Sequence, residues 1–268
     1  MENLKRRGRP KGTTKSQKEV VTFDPKSIKL IKGSQLNFHS SLFKPMKTKR
    51  ELDIILSTEG GLMPGTNIVI CGGPGSGKST IVMDMLSDFT RGGKKCLFVS
   101  GEMDEVGYYK YCKRMPKFNN ITTLFLKNHT DNVKEVLEHV FDQGWDVIAI
   151  DSIAEVVEMV KDNYKMTEGA SEGWFLSLQD KVKKGENKSK IYTTFVNIQQ
   201  VTKAGDFAGS NRLKHMTEGM AHIERSKDGL ERSIYFSKNR DCDKDFKMYF
   251  TFHGEEVHYS YETVSENE

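Results

Sequence analysis

The ten residues of the segment Cys71–Thr80, Cys-Gly-Gly-Pro-Gly-Ser-Gly-Lys-Ser-Thr, have the types and spacing needed to hold phosphate groups. They fit the phosphate-loop pattern, with an apolar run before it and a helix-compatible run after it. Glycines let backbone N–H groups turn inward, and the helix N-terminus adds partial positive charge, so a triphosphate is bound mainly by amides. The residues predicted to bind the nucleotide are Gly72, Gly73, Pro74, Gly75, Ser76, Gly77, Lys78, Ser79 and Thr80.

The side chains of Lys78 and Ser79 indicate how this loop would bind a triphosphate and its metal ion. Lys78 would reach the β- and γ-phosphates, and Ser79 would offer its hydroxyl to Mg²⁺. A second acidic element is expected beside such a site, and the apolar run Val147-Ile-Ala-Ile-Asp151 ends in a carboxylate. Because Mg²⁺ keeps much of its hydration shell, Asp151 would hold the metal through a water. We therefore predict Ser79 and Asp151 as the metal ligands of a Mg²⁺–nucleotide site.

Two further polar residues follow predicted strands and could take part in hydrolysis. Glu102 lies just beyond Phe98-Val-Ser100, where it could polarise the water that attacks the γ-phosphate. Gln200 follows the strand after Asp151, where its amide could sense the γ-phosphate and relay its loss. Solvated polar groups on loops would give the same pattern without a catalytic role. The preceding phosphate loop favours the hydrolytic interpretation.

The elements that must position these residues alternate between strand and helix. The clearest is a helix over 133–143, whose apolar residues recur at helical spacing, with Thr130 or Asp131 to cap its start and Gly144 to end it. This alternation is typical of a mostly parallel α/β sheet with helices on both faces, and short strands near the C-terminus indicate an antiparallel extension. The predicted strands are 67–70, 95–99, 145–150, 191–196, 219–224, 231–237, 246–252 and 255–261.

Length and composition favour one large intracellular domain. The chain has 268 residues, of which 36% are hydrophobic and 29% charged, which suits a soluble protein with a sizeable core. The sequence has no apolar run near the roughly 18 residues that a membrane span needs. Its four cysteines stand far apart without a Cys-x-x-Cys pair, which argues against a zinc ribbon and fits a reducing compartment. We expect a cytoplasmic protein without membrane association.

Positive charge is concentrated in residues 1–20. They include seven basic and two acidic residues, so their net charge is +5. The net charge of the whole chain is +4, so residues 21–268 have a net charge of −1. Without apolar periodicity, this tail is interpreted as disordered. Its Arg7-Gly-Arg9-Pro run resembles the AT-hook, whose arginines enter the electronegative minor groove of A·T-rich DNA. We predict that Arg7 and Arg9 contact duplex DNA; a tail that only aids solubility or binds polyanions is the alternative.

Further motifs along the chain resemble those of one ATPase family. They are Glu59-Gly-Gly-Leu-Met-Pro-Gly65, Val99-Ser-Gly-Glu102, Gln200-Val-Thr-Lys203 and Ser237-Lys-Asn-Arg240. Over roughly residues 45–245 the sequence is similar to the RecA-type ATPase domain of the RadA/Sms proteins, and more distantly to DnaB-type helicases and KaiC-like ATPases. The resemblance implies a RecA-like P-loop NTPase core that binds ATP and Mg²⁺ and forms homo-oligomeric rings, as hexamers, with ATP between subunits.

The resemblance also implies roles for several cations. Lys238 and Arg240 would reach the γ-phosphate on a neighbouring subunit, and residues two apart on an extended strand do point the same way. RecA-type motors bind nucleic acid through a loop in the position of 203–215, where cations could contact phosphates. Salt-bridged strand cations and solvated loop lysines are the alternatives. The residues predicted to contact DNA in this loop are Lys203, Arg212 and Lys214.

The organisation of the chain differs from that of RadA. RadA proteins carry an N-terminal four-cysteine zinc ribbon and a C-terminal Lon-protease-like domain, which this sequence lacks, and Asp241-Cys242 stands where the family has Phe-Gly. We predict a tail over 1–20, a connector over 21–55, and an ATPase domain over 56–262. The connector could dock on a neighbouring subunit or fold back on its own domain.

The sequence therefore predicts a Mg–ATP-dependent, ring-forming DNA translocase or helicase. It would act at the nucleoid in DNA replication or recombination, with single-stranded DNA in the ring centre, duplex DNA on the tail, and replication or recombination proteins as partners. A filament-forming strand-exchange recombinase is one alternative. The other is a KaiC-like regulatory or assembly ATPase, whose hydrolysis would be indifferent to DNA.

Overall fold

A computed structural model describes residues 28–201, 210–226, 229, 231–242 and 246–261. The chain divides into two units, Met1–Phe38 and His39–Glu268. In the described part of the first unit, a 3₁₀ turn spans Gly33–Gln35. The second unit contains the sheet and every residue predicted for the nucleotide site.

One mixed sheet of nine strands runs through the described part of the second unit. The strands are β1 Asn67–Gly72, β2 Cys96–Ser100, β3 Thr122–Phe125, β4 Val147–Asp151, β5 Thr194–Gln200, β6 Gly219–Arg225, β7 Arg232–Asn239, β8 Lys247–His253 and β9 Glu256–Tyr261. Their order is β3-β2-β4-β5-β1-β6-β7-β8-β9, parallel from β3 to β6 and antiparallel from β6 to β9. The predicted fold class is confirmed.

Seven α-helices lie in the same described region, joined by 3₁₀ turns. The helices are α1 Asp53–Leu56, α2 Lys78–Arg91, α3 Glu105–Arg114, α4 Val133–Phe141, α5 Ile153–Tyr164, α6 Glu168–Lys183 and α7 Asn211–Met216. The 3₁₀ turns are Ser40–Phe43, Pro116–Asn120 and Leu126–Asn132. The helix predicted over 133–143 is α4, and its apolar spacing buries Val133, Leu137 and Phe141.

Two helical layers cover the parallel part of the sheet. Helices α2 and α3 contribute to one hydrophobic cluster, and α4, α5 and α6 contribute to another. Successive side chains of a strand point to opposite faces, so Ile68 and Ile70 of β1 join the first cluster while Val69 and Cys71 join the second. The strand that carries the phosphate loop is thereby fixed on both faces.

Part of the segment predicted as a connector packs into the core of the second unit. The backbone of Met46 pairs with that of Leu62, through two hydrogen bonds of 2.8 Å. Leu52, Ile55 and Leu56, around α1, are buried. Residues 46–56 therefore fold on their own domain, whereas docking on a neighbour stays a prediction for the residues before them.

The carboxyl ends of four parallel strands meet at one edge of the sheet. Gly72 of β1 is in register with Gln200 of β5, and Ser100 of β2 with Asp151 of β4. Ligands of open α/β sheets bind at this edge. Because β7 runs antiparallel to β6, it begins near this edge and ends near the opposite one.

Candidate nucleotide-binding site

The phosphate loop joins β1 to α2. Gly77 has φ of +109°, and a side chain there would meet the Phe252 ring 2.9 Å away, so this position accepts only glycine. The Lys78 ammonium donates hydrogen bonds to the carbonyls of Gly72, at 2.8 Å, and Gly73, at 2.9 Å. Burial lowers the pKa of Lys78, against the opposing effect of nearby carboxylates. These two hydrogen bonds place the ammonium beside the backbone of the loop.

Ser79 and Asp151 meet at the ends of α2 and β4. The Ser79 hydroxyl donates a hydrogen bond of 2.6 Å to Asp151 Oδ2, and Asp151 is 2% exposed. The pKa of Asp151 is raised to about 6, mainly by burial; the Ser79 hydrogen bond and the Lys78 charge oppose this rise, and the Glu102 charge adds to it. A hydroxyl beside a carboxylate is the hard-oxygen donor set that Mg²⁺ prefers. The chemistry of these two residues therefore fits Mg²⁺, which Ser79 and Asp151 would hold.

Glu102 and Gln200 approach each other over the same edge. Gln200 Nε2 donates to Glu102 Oε1 at 3.4 Å, and both side chains are exposed. The turn after β2 is fixed on β4, because the N–H groups of Gly101 and Glu102 donate to the Asp151 carbonyl at 2.7 and 3.2 Å. A cavity of about 500 Å³ is lined by Lys78, Ser79, Asp151, Glu102 and Gln200 together. The structure thus places these five predicted residues around one space.

Residues of the phosphate loop line the cavity as well, but another part of its wall comes from residues that the sequence did not indicate. Helix α3 contributes Tyr111 and Arg114, whose guanidinium lies 4.6 Å from the tyrosine ring centre. On the other side, Arg232 of β7 lies 5.1 Å from the ring centre of Phe252 of β8. Arg232 Nε is buried and has no hydrogen-bond partner among the described residues. Two arginine–aromatic pairs thus offer planar surfaces suited to stacking.

Comparisons with known proteins agree on the kind of domain. The family model for the KaiC ATPases matches residues 47–121. The DNA repair protein RadA of Campylobacter jejuni is 30% identical over 196 residues, which cover 71% of this chain and 40% of that relative. RadA of Aquifex aeolicus is 27% identical over 235 residues, covering 82% and 49%. The chain carries a RecA-type domain of the RadA/KaiC-like ATPases.

Solved structures support the fold of this RecA-type domain. A KaiC-like protein of Pyrococcus horikoshii superposes with a TM-score of 0.62 at 15% identity, covering 81% of this chain and 99% of the other. The flagellar accessory protein FlaH of Methanocaldococcus jannaschii also gives 0.62, at 12% identity, covering 82% and 100%. The chain spans less than half the length of these two curated RadA relatives.

The structure places Lys238 and Arg240 away from the cavity of the RecA-type domain. The Arg240 N–H donates a hydrogen bond to the Glu218 carbonyl, and the Glu218 N–H donates to the Asn67 carbonyl. Arg240 therefore lies level with the start of β1. Gly72 is five residue steps along β1 from Asn67, a distance of roughly 16 Å. The Lys238 ammonium donates to the carbonyls of Lys214, at 2.9 Å, and Thr217, at 2.5 Å. The described residues that line the cavity include neither cation.

The residues predicted to contact DNA are only partly described. Arg7, Arg9 and Lys203 lie outside the described residues. Arg212 and Lys214 are exposed on α7, which is capped by a hydrogen bond from the Leu213 N–H to the Ser210 hydroxyl.

Among the described helices, none is both long and apolar enough to cross a membrane.

Proposed function

We propose that the RecA-type domain hydrolyses Mg–ATP at sites that a neighbouring subunit completes. The observation that carries this proposal is the division of the polar groups between two edges of one sheet. Lys78, Ser79, Asp151, Glu102 and Gln200 surround the cavity, whereas two cations lie at the far edge. Cations that are too distant for their own cavity can serve the cavity of an adjacent copy.

Each side chain of the cavity has a distinct task in this proposal. Lys78 binds the β- and γ-phosphates, and Ser79 and Asp151 would hold Mg²⁺. When bound, Mg²⁺ would offset the charge of the β- and γ-oxygens. Glu102 orients a water and takes its proton as the water oxygen bonds to the γ-phosphorus. The bond from the γ-phosphorus to the β–γ bridging oxygen breaks, and its electron pair stays on ADP.

The far-edge cations would act in trans. Lys238 and Arg240 of the neighbour would stabilise the charge on the transferred phosphoryl group, an effect worth roughly 10³–10⁵ in rate for an arginine finger. This requires a homo-oligomer, for which a closed hexameric ring is the proposed form. The finger pair of each subunit would then make hydrolysis depend on assembly.

We further propose that hydrolysis drives movement on DNA. Gln200 ends β5 at the cavity, and the chain continues from it to α7, where Arg212 and Lys214 are exposed. A change in γ-phosphate contacts at Gln200 would therefore be passed to a basic segment suited to DNA phosphates. The RadA relatives are named DNA repair proteins. A ring-forming translocase or helicase in replication or recombination, inside the cell and at the nucleoid, is the function that these features support best.

A KaiC-like regulatory or assembly ATPase is the second candidate. The match of residues 47–121 to the KaiC family model favours it. In that case the ring would serve as a scaffold, and hydrolysis would ignore DNA. A strand-exchange recombinase would instead assemble as open filaments, which electron micrographs of the ATP-bound protein would reveal.

The deciding experiment is steady-state ATP hydrolysis with and without single-stranded DNA at moderate salt. Lys78→Ala protein is the control, because it removes the phosphate-binding ammonium. Stimulation of several-fold or more by DNA would support the motor. Equal hydrolysis with no DNA, single-stranded DNA and duplex DNA would favour the KaiC-like function.

A further inference from the structure

The strand that carries the two far-edge cations is anchored by the residue between them. Asn239 Nδ2 donates hydrogen bonds to the carbonyls of Ile55, at 3.0 Å, and Leu56, at 3.2 Å. These are orphan carbonyls at the C-terminal end of α1, which no intrahelical N–H satisfies. Successive strand side chains point to opposite faces. Asn239 faces α1, whereas the Lys238 ammonium is bonded to the carbonyls of Lys214 and Thr217, and the Arg240 side chain, just beyond the strand, is exposed.

Backbone contacts hold the same stretch from both sides. The Thr58 N–H donates to the Asp241 carbonyl at 2.9 Å, and the Asp241 N–H donates to Asn239 Oδ1 at 3.0 Å. On the other side, the Arg240 N–H donates to the Glu218 carbonyl at 3.0 Å. The backbone around Arg240 is therefore tied down while its side chain stays exposed.

Helix α1 can act as an anchor because it is itself fixed to the helix of the phosphate loop. The Asp53 carboxylate at its start accepts hydrogen bonds from the N–H and hydroxyl of Thr48, both at 2.8 Å. Arg50, in the same turn of chain, pairs with Asp84 of α2 at 2.7 Å and with Asp88 at 3.3 Å. Asp84 is fully buried, so loss of its cationic partners would leave an uncompensated buried charge. The contacts link α2 through residues 48–58 to the far-edge strand.

We propose that Asn239 is a positioning residue that fixes Lys238 and Arg240 for action on the neighbouring subunit's nucleotide. This role rests on the proposed trans hydrolysis. In this role Asn239 does not contact the nucleotide. It fixes the position and direction of the end of β7, which carries Lys238 and leads into Arg240. A misplacement of about 1 Å at a reacting centre costs on the order of 10²-fold in rate, so loss of this anchor should slow turnover strongly.

The first test is Asn239→Asp, with Ser57→Ala as a matched control. Aspartate keeps the shape and the acceptor for the Asp241 N–H but cannot donate to the α1 carbonyls. Ser57 is buried in the same segment and donates to the Gly61 carbonyl at 2.7 Å, without contact to the cations. We expect Asn239→Asp to lower kcat by about 10- to 100-fold with KM for ATP within about twofold. Ser57→Ala should keep kcat, although both variants lose thermal stability.

Two outcomes of this test would overturn the proposal. An unchanged kcat in Asn239→Asp would show that the anchor is not needed. Loss of ATP binding together with turnover, measured with a fluorescent ATP analogue, would show that Asn239 supports the fold alone. Asn239→Ala, which removes the side-chain bonds without adding a charge, is measured in parallel so that one folded variant is available.

Mixing with Lys78→Ala protein separates a finger defect from a defect of a subunit's own site. Lys78→Ala subunits hydrolyse no ATP but keep intact cations, so they can serve an adjacent Asn239→Asp site. We expect the mixture to hydrolyse ATP several-fold faster than the sum of its parts, as an Arg240→Ala mixture would. If Lys78→Ala protein restores hydrolysis when it is mixed with Arg240→Ala but not when it is mixed with Asn239→Asp, the positioning role of Asn239 is overturned and the trans geometry stands. No gain in either mixture would overturn the trans geometry and this inference with it.

Discussion

Arg232 and Lys238 lie on the same strand, β7, yet the first lines the nucleotide cavity and the second lies towards the opposite edge of the sheet. The strand runs antiparallel to β6, which is parallel to the phosphate-loop strand β1. One strand therefore brings a cation to each edge. On the proposed function, Arg232 serves the subunit's own nucleotide and Lys238 that of its neighbour.

Replacement of Arg232 by alanine tests the first half of this arrangement. The guanidinium over Phe252 offers a planar cation to a stacked base, whereas on the proposed function the phosphates would be bound by the loop at Lys78. We expect Arg232→Ala to weaken ATP binding by about tenfold, as a cation–π contact of 1–2 kcal/mol predicts, and to leave inorganic tripolyphosphate binding unchanged. Isothermal titration calorimetry with both ligands measures the difference.

Arg225→Ala is the matched control for this change. Arg225 is in register with Arg232 on the adjacent strand but does not line the cavity in the described structure. Equal weakening of ATP and tripolyphosphate by Arg232→Ala would mean that Arg232 binds phosphate rather than the base. Weakening by Arg225→Ala would mean that the effect is a general loss of positive charge.

Glu102→Gln should separate nucleotide binding from hydrolysis. Glutamine keeps an oxygen for the hydrogen bond from Gln200 but cannot accept the proton of the attacking water. We expect turnover to fall by about 10²- to 10⁴-fold with ATP affinity retained, as measured by phosphate release and equilibrium binding. Glu105→Gln, on the first turn of α3 where the carboxylate is bonded to Asn128, should keep full activity. Turnover that survives Glu102→Gln would remove this residue from the mechanism.

The buried Asp151 predicts a pH dependence of stability in the absence of Mg²⁺ and nucleotide. Its pKa is raised from 3.8 to about 6, mainly by burial, so the charged form is disfavoured in the folded protein. The group favours folding below pH 3.8, and this contribution is lost as the pH rises through about 6. Asp151→Asn should therefore be more stable than the parent at pH 8, by up to about 3 kcal/mol.

Urea unfolding with a chelator at several pH values between 4 and 8 measures this effect. The stability gap between Asp151→Asn and the parent should narrow as the pH falls towards 4. Asp162→Asn, at an exposed side chain, is the control and should show no such trend. A gap that stays constant over this range would contradict the raised pKa.

Local features of the site could be predicted from the sequence, whereas contacts set by strand register could not. The phosphate loop and the acid at the end of β4 can each be recognised from a few consecutive residues and the apolar strand that carries them. Arg232 and Phe252 come together only through the pairing of β7 with β8, which no local pattern fixes. The Asn239 contact with Ile55 spans 184 residues. The sequence pattern does not predict strand β3, because its four residues are at most partly buried and lack alternation.

Deletion of residues 1–20 tests the predicted DNA contact of the basic tail. This tail carries a net charge of +5, and each phosphate contact it makes on duplex DNA should contribute about 0.9 to the slope of log affinity against log salt concentration. We expect the deletion to weaken duplex binding and to flatten that slope, as measured by fluorescence anisotropy across a salt series. Arg7→Ala with Arg9→Ala should reproduce part of the change if these two arginines enter the groove. An unchanged slope in the deletion would mean that the tail does not touch DNA, and any DNA binding would then come from the rest of the chain.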